Sequence, residues 1–223
     1  WKSVDRVWRE IREMSPSQEV LAEGRIVAAG ALADQGDLRG ALAVMEPATK
    51  RPKVVRDHHL RQYYVLGDLY DRVGDPIAAL REMRRVCVLG GLVAIRDADY
   101  AAMTWYPPNV ELSRWLELYH QVARSNGGEP DAGRRLLSWA RAAGFDDVQA
   151  SASAWCFATP TDLAWWSETW ADRLSQSTFG HQAVEQGLST SAELAELAQA
   201  WLRWGQLPDA WFSVLHGEIL CRG

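Results

Sequence analysis

Lysine is nearly missing from this 223-residue chain; Lys2, Lys50 and Lys53 are its only copies. Basic character therefore rests on arginine, and 24 basic groups face 29 acidic ones for a formal charge of −5. A chain of that sign has no surplus of cations to neutralise phosphates, which argues against nucleic-acid binding as its main activity. Cysteine is also scarce. Cys87, Cys156 and Cys221 lie far apart, which fits neither a disulfide framework nor a metal knuckle and suits a reducing, cytoplasmic setting. Long apolar runs are absent: there is no stretch of about 18 uncharged apolar residues, so no membrane-spanning helix is expected. Trp1-Lys2-Ser3-Val4-Asp5 carries charge from the start and does not read as a secretory signal.

What remains is enough to fold. Hydrophobic residues make up 48% of the chain, which supports a sizeable core and excludes wholesale disorder. They are unevenly spread. Of 12 tryptophans, Trp1 and Trp8 open the chain, the rest begin at Trp105, and none falls between residues 9 and 104. The surplus acidic charge lies entirely beyond residue 80. Two differently built segments are expected, with a boundary near 75/76.

The first segment reads as helical hairpins. Gly36-Asp37-Leu38-Arg39-Gly40-Ala41-Leu42 returns 38 residues later as Gly74-Asp75-Pro76-Ile77-Ala78-Ala79-Leu80. In each copy glycine suits a left-handed helix terminus, aspartate can cap the next helix, and Pro76 fits a first helical position. Ala41 and Ala79 fall where a close helix crossing needs a short side chain. This resembles the tetratricopeptide repeat. Tyr63, Leu66, Gly67, Tyr70, Gly74, Asp75 and Ala79 fall at that family's spacing, and Ala28, Ala29, Leu32, Gly36 and Ala41 fill the slots of a weaker first copy. Met45 and Met83 replace the usual late aromatic. The offset exceeds the family's period of about 34 residues, and the basic loop Pro47–Asp57 absorbs the excess.

From Asp75 the pattern becomes α/β. A helix from Pro76 to about Val86 precedes Gly90-Gly91 and the apolar run Leu92-Val93-Ala94-Ile95, which reads as a buried strand. Strands are expected near 92–97, 147–157 and 211–221. Helices are expected at about 111–125, over Leu136–Ala143 with Asp131 as cap, from Pro160 with Thr159 as cap, and from Ser191 with Thr190 as cap. Cys156 and Cys221, on the later strands, are expected to be buried.

Ala79–Val86 followed by Gly90-Gly91-Leu92-Val93-Ala94 is similar to the helix–Pro-Gly-Gly–strand motif of class I S-adenosylmethionine (SAM)-dependent methyltransferases of the ubiquinone/menaquinone-biosynthesis type, with Leu89 where that family has proline. Leu136-Leu137 through Ala142-Ala143-Gly144-Phe145 looks like the helix before their sixth strand. Phe212–Cys221 looks like their antiparallel seventh strand. The resemblance covers the C-terminal half of that fold. It implies a partial Rossmann-like sheet of three strands, the last antiparallel and central, with SAM as cofactor and a small-molecule acceptor. The family's Gly-rich cofactor loop and its ribose-binding acid belong to the other half. No Gly-x-Gly-x-Gly occurs in this chain, and Asp34, Asp37 and Asp68 follow no strand. The chain thus reads as a hybrid joined near residues 66–80, methyltransferase-related but impaired or inactive. The other reading is a helical module that binds a protein partner, with a non-catalytic α/β half.

Candidate acceptor-binding residues cluster after the first α/β strand. Asp97, Asp99 and Tyr100 end it, at the edge of an open α/β sheet that faces ligands. They are placed to orient an acceptor or take its proton, or else simply to cap a loop. Trp105, Tyr106 and Tyr119 are placed to wall an apolar pocket, beside the stiff Pro107-Pro108. Trp166, Trp170, Trp201 and Trp204, at helical spacing, either lid a pocket over the sheet or seal the helices that precede the last strand. His58-His59 cannot share one helix face, and His120, His181 and His216 stand alone, so no metal site is expected. The unpaired edge at 92–97 predicts a homo-oligomer, coverage by the hairpins, or poor solubility.

Overall fold

The computed structural model describes residues 17–49, Val65 and 74–222. Much of the second helical-repeat copy (Tyr63, Leu66, Gly67, Tyr70), His58-His59 and most of the basic loop lie outside the described residues. In chain order the elements are α1 (Gln18–Asp34), α2 (Leu38–Met45), α3 (Pro76–Val86), β1 (Leu92–Ala98), β2 (Thr104–Tyr106), α4 (Val110–Ser125), α5 (Leu136–Ala142), β3 (Val148–Phe157), α6 (Pro160–Gln176), α7 (Thr178–Glu185), α8 (Ser191–Trp204) and β4 (Trp211–Arg222). They fall into two compact units. One holds the described residues up to Ala94 with Leu137–Gln149 and the chain from Leu220; the other holds Ile95–Leu136 and Ala150–Ile219.

In the first unit the hairpin turns are built as the sequence predicts. Gly36 takes φ +82°, and Gly74 takes φ +79°. Asp37 accepts from the Gly40 backbone N at 2.9 Å, Asp75 from that of Ala78 at 2.8 Å, and Pro76 occupies the first turn of α3. Ala29, Ala33, Ala41, Met45 and Ala48 form a small core between α1 and α2. On α3 the buried Glu82 holds Arg85 at 2.6 Å, and Arg85 Nη2 donates to the Ala48 carbonyl at 3.0 Å. Arg84 lies over the Phe145 ring at 5.7 Å, and Arg81 donates to the Ala142 carbonyl at 3.3 Å.

The sheet is four-stranded and antiparallel, and β4 pairs with all three other strands. The last strand is therefore central, as expected. Two details differ. β2 was not foreseen: Thr104–Tyr106 pairs antiparallel with Trp211–Ser213. Three residues are too short a run for a period-2 signal to stand out. β1 is not buried either. Its residues alternate between exposed and half-buried, with Leu92 at 55% exposure. An apolar run signals burial on both faces, but among the described residues β1 pairs with β4 alone. Cys156 is likewise exposed, because β3 is open along most of its length; Cys221 is buried.

In the second unit an aromatic core does the packing. Trp115, Trp170, Trp201 and Trp204 join Phe212, Leu112, Leu118 and Leu174, all nearly or fully inaccessible. Trp115 meets Trp170 at 4.4 Å and Trp201 at 4.8 Å, both edge to face. Such contacts are worth roughly 0.5–1.5 kcal/mol each beyond area burial. The tryptophans seal α4, α6 and α8 against β4, as the sequence suggests. α7 was not foreseen.

Gly217 of β4 lies against the backbone of Gly133, in the short helical turn Ala132–Arg135. A Cβ at 217 would collide with the Gly133 carbonyl. Gly217→Ala is therefore expected to destabilise the second unit by about 1–3 kcal/mol. Urea unfolding followed by near-ultraviolet circular dichroism of the tryptophans checks this. An unchanged midpoint contradicts it.

Candidate functional site

β1 ends in a turn that carries three of the candidate residues. The Asp99 backbone N donates to the Leu215 carbonyl at 2.9 Å, so pairing with β4 continues past the strand. The Asp99 side chain is 3% exposed, and Arg134 grips it from both sides, Nε to Oδ2 at 2.5 Å and Nη2 to Oδ1 at 2.6 Å. Oδ1 also accepts from the Ala102 backbone N at 3.2 Å. This bidentate pair commits the carboxylate to holding the turn. Asp97 is exposed and accepts from the Ala98 backbone N at 2.7 Å.

Tyr100 leaves the turn and stacks on Tyr119 of α4, with ring centroids 4.0 Å apart and planes 7° from parallel. Burial, with the adjacent Tyr119 phenol, holds Tyr100 far above the usual tyrosine range. Its hydroxyl therefore stays protonated, and it can donate a hydrogen bond but not take a proton. Trp170 stands perpendicular to both rings, 6.4 Å from Tyr100 and 5.6 Å from Tyr119, and Phe179 lies 5.6 Å from Tyr119. Trp105 stacks on Phe212 at 5.8 Å and is packed against the core. Tyr106 is 58% exposed. The structure thus brings Tyr100 and Tyr119 together as one aromatic wall and ties Trp105 into the core beneath β2.

A second cluster fixes the wall, and the sequence reading missed it. Asp131 was expected to cap a helix. It makes no cap bond, and its Oδ1 instead accepts from the Ala101 backbone N at 2.8 Å and meets His120 Nε2 at 2.8 Å. Arg124 Nη2 donates to Oδ2 at 2.9 Å. Pro130 adds its carbonyl to the Tyr100 backbone N at 3.1 Å. Burial works against charge on Asp131, but the bonds from His120 and Ala101 outweigh it and hold the carboxyl below its usual range. His120 is next to Tyr119 on α4, so one helix supplies both the stacked ring and the clamp. Nothing local in the sequence links His120, on α4, to Asp131, which lies beyond that helix. His216 is buried, with Nδ1 3.1 Å from the Val214 carbonyl, and burial lowers its basicity. That is a structural histidine.

The residues that resemblance would assign to SAM are not met here. Among the described residues no strand precedes β1; Gly24, Gly30 and Gly40 lie in helices and Gly36 in the turn between two of them. Asp37 and Asp75 are spent as helix caps. Gly67 and Asp68 lie outside the described residues. The described residues do not fit the cofactor.

No protein-family model matches the chain. The chain is similar to an uncharacterised methyltransferase of Schizosaccharomyces pombe, 30% identical over 148 residues, or 66% of this chain and 52% of that protein. It is also similar to a probable methyltransferase of Aspergillus luteorubrus, 29% identical over 155 residues, or 65% of this chain and 53% of that protein. The chain spans about half the length of the curated relatives it matches. These similarities support a methyltransferase-related function.

Two outcomes follow from the site geometry. Asp99→Asn removes the buried carboxylate that Arg134 and the Ala102 backbone N share, and should lower the denaturant midpoint. Asp131 contributes stability above its unfolded pKa of about 3.9, and that contribution fades as pH falls through its lower folded value. Acid titration should therefore loosen the Tyr100–Tyr119 stack below about pH 4, while Asp131→Asn flattens that part of the curve. An identical acid limb in the variant contradicts the assignment.

Proposed function

We propose that residues 76–223 form the acceptor-binding half of a SAM-dependent methyltransferase that acts on a small molecule. The observation that carries this reading is the aromatic wall of Tyr100 and Tyr119 at the C-terminal end of β1, in a sheet whose last strand is antiparallel and central. Open α/β sheets bind ligands at that end. The two curated relatives support the same reading. A methyl donor, if bound, would supply the transferred methyl group, and this half of the fold would supply the positioning of the acceptor. Asp97, Tyr106 and the wall contribute that positioning; Asp99 acts through the turn.

The chain alone holds SAM poorly on this reading, because it contains no Gly-x-Gly-x-Gly. Calorimetry with SAM is expected to show no binding in the micromolar range. A micromolar Kd for the wild-type chain would overturn the impaired-cofactor reading.

One observation favours a second function. The capped Gly-Asp turns and the small-residue crossing of Ala29 with Ala41 suit a helical-repeat module that binds a protein partner. In that case the α/β half is a non-catalytic passenger.

A further inference from the structure

Neighbouring helices account for most of the surface of α7. Phe179 lies 5.6 Å from Tyr119, and Ala183 is inaccessible in the core. Gln182 and Gln186, one turn apart, meet α4: Asn126 Nδ2 donates to Gln182 Oε1 at 2.8 Å, and Ser125 Oγ donates to Gln186 Oε1 at 2.6 Å. Gly180 lies against the Leu174 carbonyl of α6, where a Cβ would collide. His181 and Glu185, also one turn apart, remain. Both are exposed, and among the described residues neither side chain has a hydrogen bond or ion pair. Both line a cavity of about 380 Å³ between the end of α6, α7 and the start of α8. Leu174 and Leu194, nearly inaccessible, give that cavity an apolar floor. Its volume lies at the small end of the range of about 300–1,000 Å³ that holds small molecules.

The polar lining is rich in acceptors. Glu185 supplies its one carboxylate, and no lysine or arginine lines it. Ser175 spends its proton on the Ala171 carbonyl at 2.6 Å, which leaves Oγ as an acceptor. A neutral His181 ring offers one nitrogen as acceptor, and the Ser191 hydroxyl can turn either way. The positive end of α8 is already met: Thr190 Oγ1 accepts from the Glu193 backbone N at 3.1 Å, and the Glu193 carboxylate lies in the first turn. Acceptors and one negative charge above an apolar floor are complementary to a primary ammonium, which has three donors and no acceptor.

We infer that this cavity binds a primary ammonium group carried on a short apolar body, with Glu185 holding the charge and Leu174 and Leu194 packing the body. The site shares no residue with the Tyr100–Tyr119 wall and does not depend on the methyltransferase reading.

The test uses the full chain without methyl donor. Backbone amide shifts are followed by nuclear magnetic resonance during titration with probes of one shape: phenethylammonium, neutral phenethyl alcohol and anionic hydrocinnamate. The wild-type chain should bind phenethylammonium in the millimolar range, with the largest shifts within residues 174–195. It should bind the alcohol at least about fivefold more weakly, and hydrocinnamate more weakly still. Glu185→Gln should lower phenethylammonium affinity to that of the alcohol and leave the alcohol unchanged. Ala195→Phe, at an exposed lining position of α8, should fill the cavity and abolish binding of both. Unchanged amide shifts elsewhere confirm that each variant keeps the fold. No response to phenethylammonium at about 20 mM, a response centred elsewhere, or equal affinity for ammonium and alcohol overturns the inference. So does a preference that survives Glu185→Gln, or binding that survives Ala195→Phe.

Discussion

Trp170 touches Trp115, Trp166, Trp201, Tyr100 and Tyr119 ring to ring, and the second unit depends on that contact set. It is inaccessible to solvent, yet one neighbour on its own helix, Arg173, is exposed. The ring therefore joins core to surface. On one side it packs α6 against α4 and α8. On the other it backs the tyrosine pair that follows β1. Removing an indole of this kind from a core typically costs about 3–5 kcal/mol, and here the loss would reach the wall as well as the packing.

The wall has a second support that is polar. Asp131 reaches the turn after β1 through the Ala101 backbone N, while His120 and Arg124 hold Asp131 from α4. The same helix carries Tyr119. A helix that presents a stacking ring and a clamp one residue apart fixes the distance between them, so the position of Tyr100 is set twice. The Asp99–Arg134 pair and the close approach of Gly133 to Gly217 pin the remaining side of this turn to β4. The candidate acceptor residues are thus held by packing, a carboxylate network and a glycine contact, a combination suited to positioning rather than to proton transfer.

Much of the local structure was legible. Gly36-Asp37 and Gly74-Asp75-Pro76 announced their turns because a glycine that can turn left-handed and an aspartate that can cap are local properties. Thr159 and Thr190 announced the starts of α6 and α8 in the same way. The three long strands lay within a residue or two of their expected bounds. The failures were of another kind. The exposure of Leu92 and Cys156 depends on what lies beside β1 and β3, and an apolar run cannot report its neighbours.

The sequence by itself determined the helix caps, the stripe of tryptophans and the order of helices and strands, because each follows from residues within a turn or two of one another. Tertiary structure alone decided that Asp131 clamps a distant turn instead of capping its own helix, that Asp99 is bound by Arg134, and that Tyr100 stacks on Tyr119 with Trp170 perpendicular to both. The physical reason is range. Caps and amphipathic stripes are set by hydrogen bonds and faces that repeat every few residues, whereas a carboxylate's partner and a ring's stacking face are chosen by groups brought together only when the sheet and its helices close on one core.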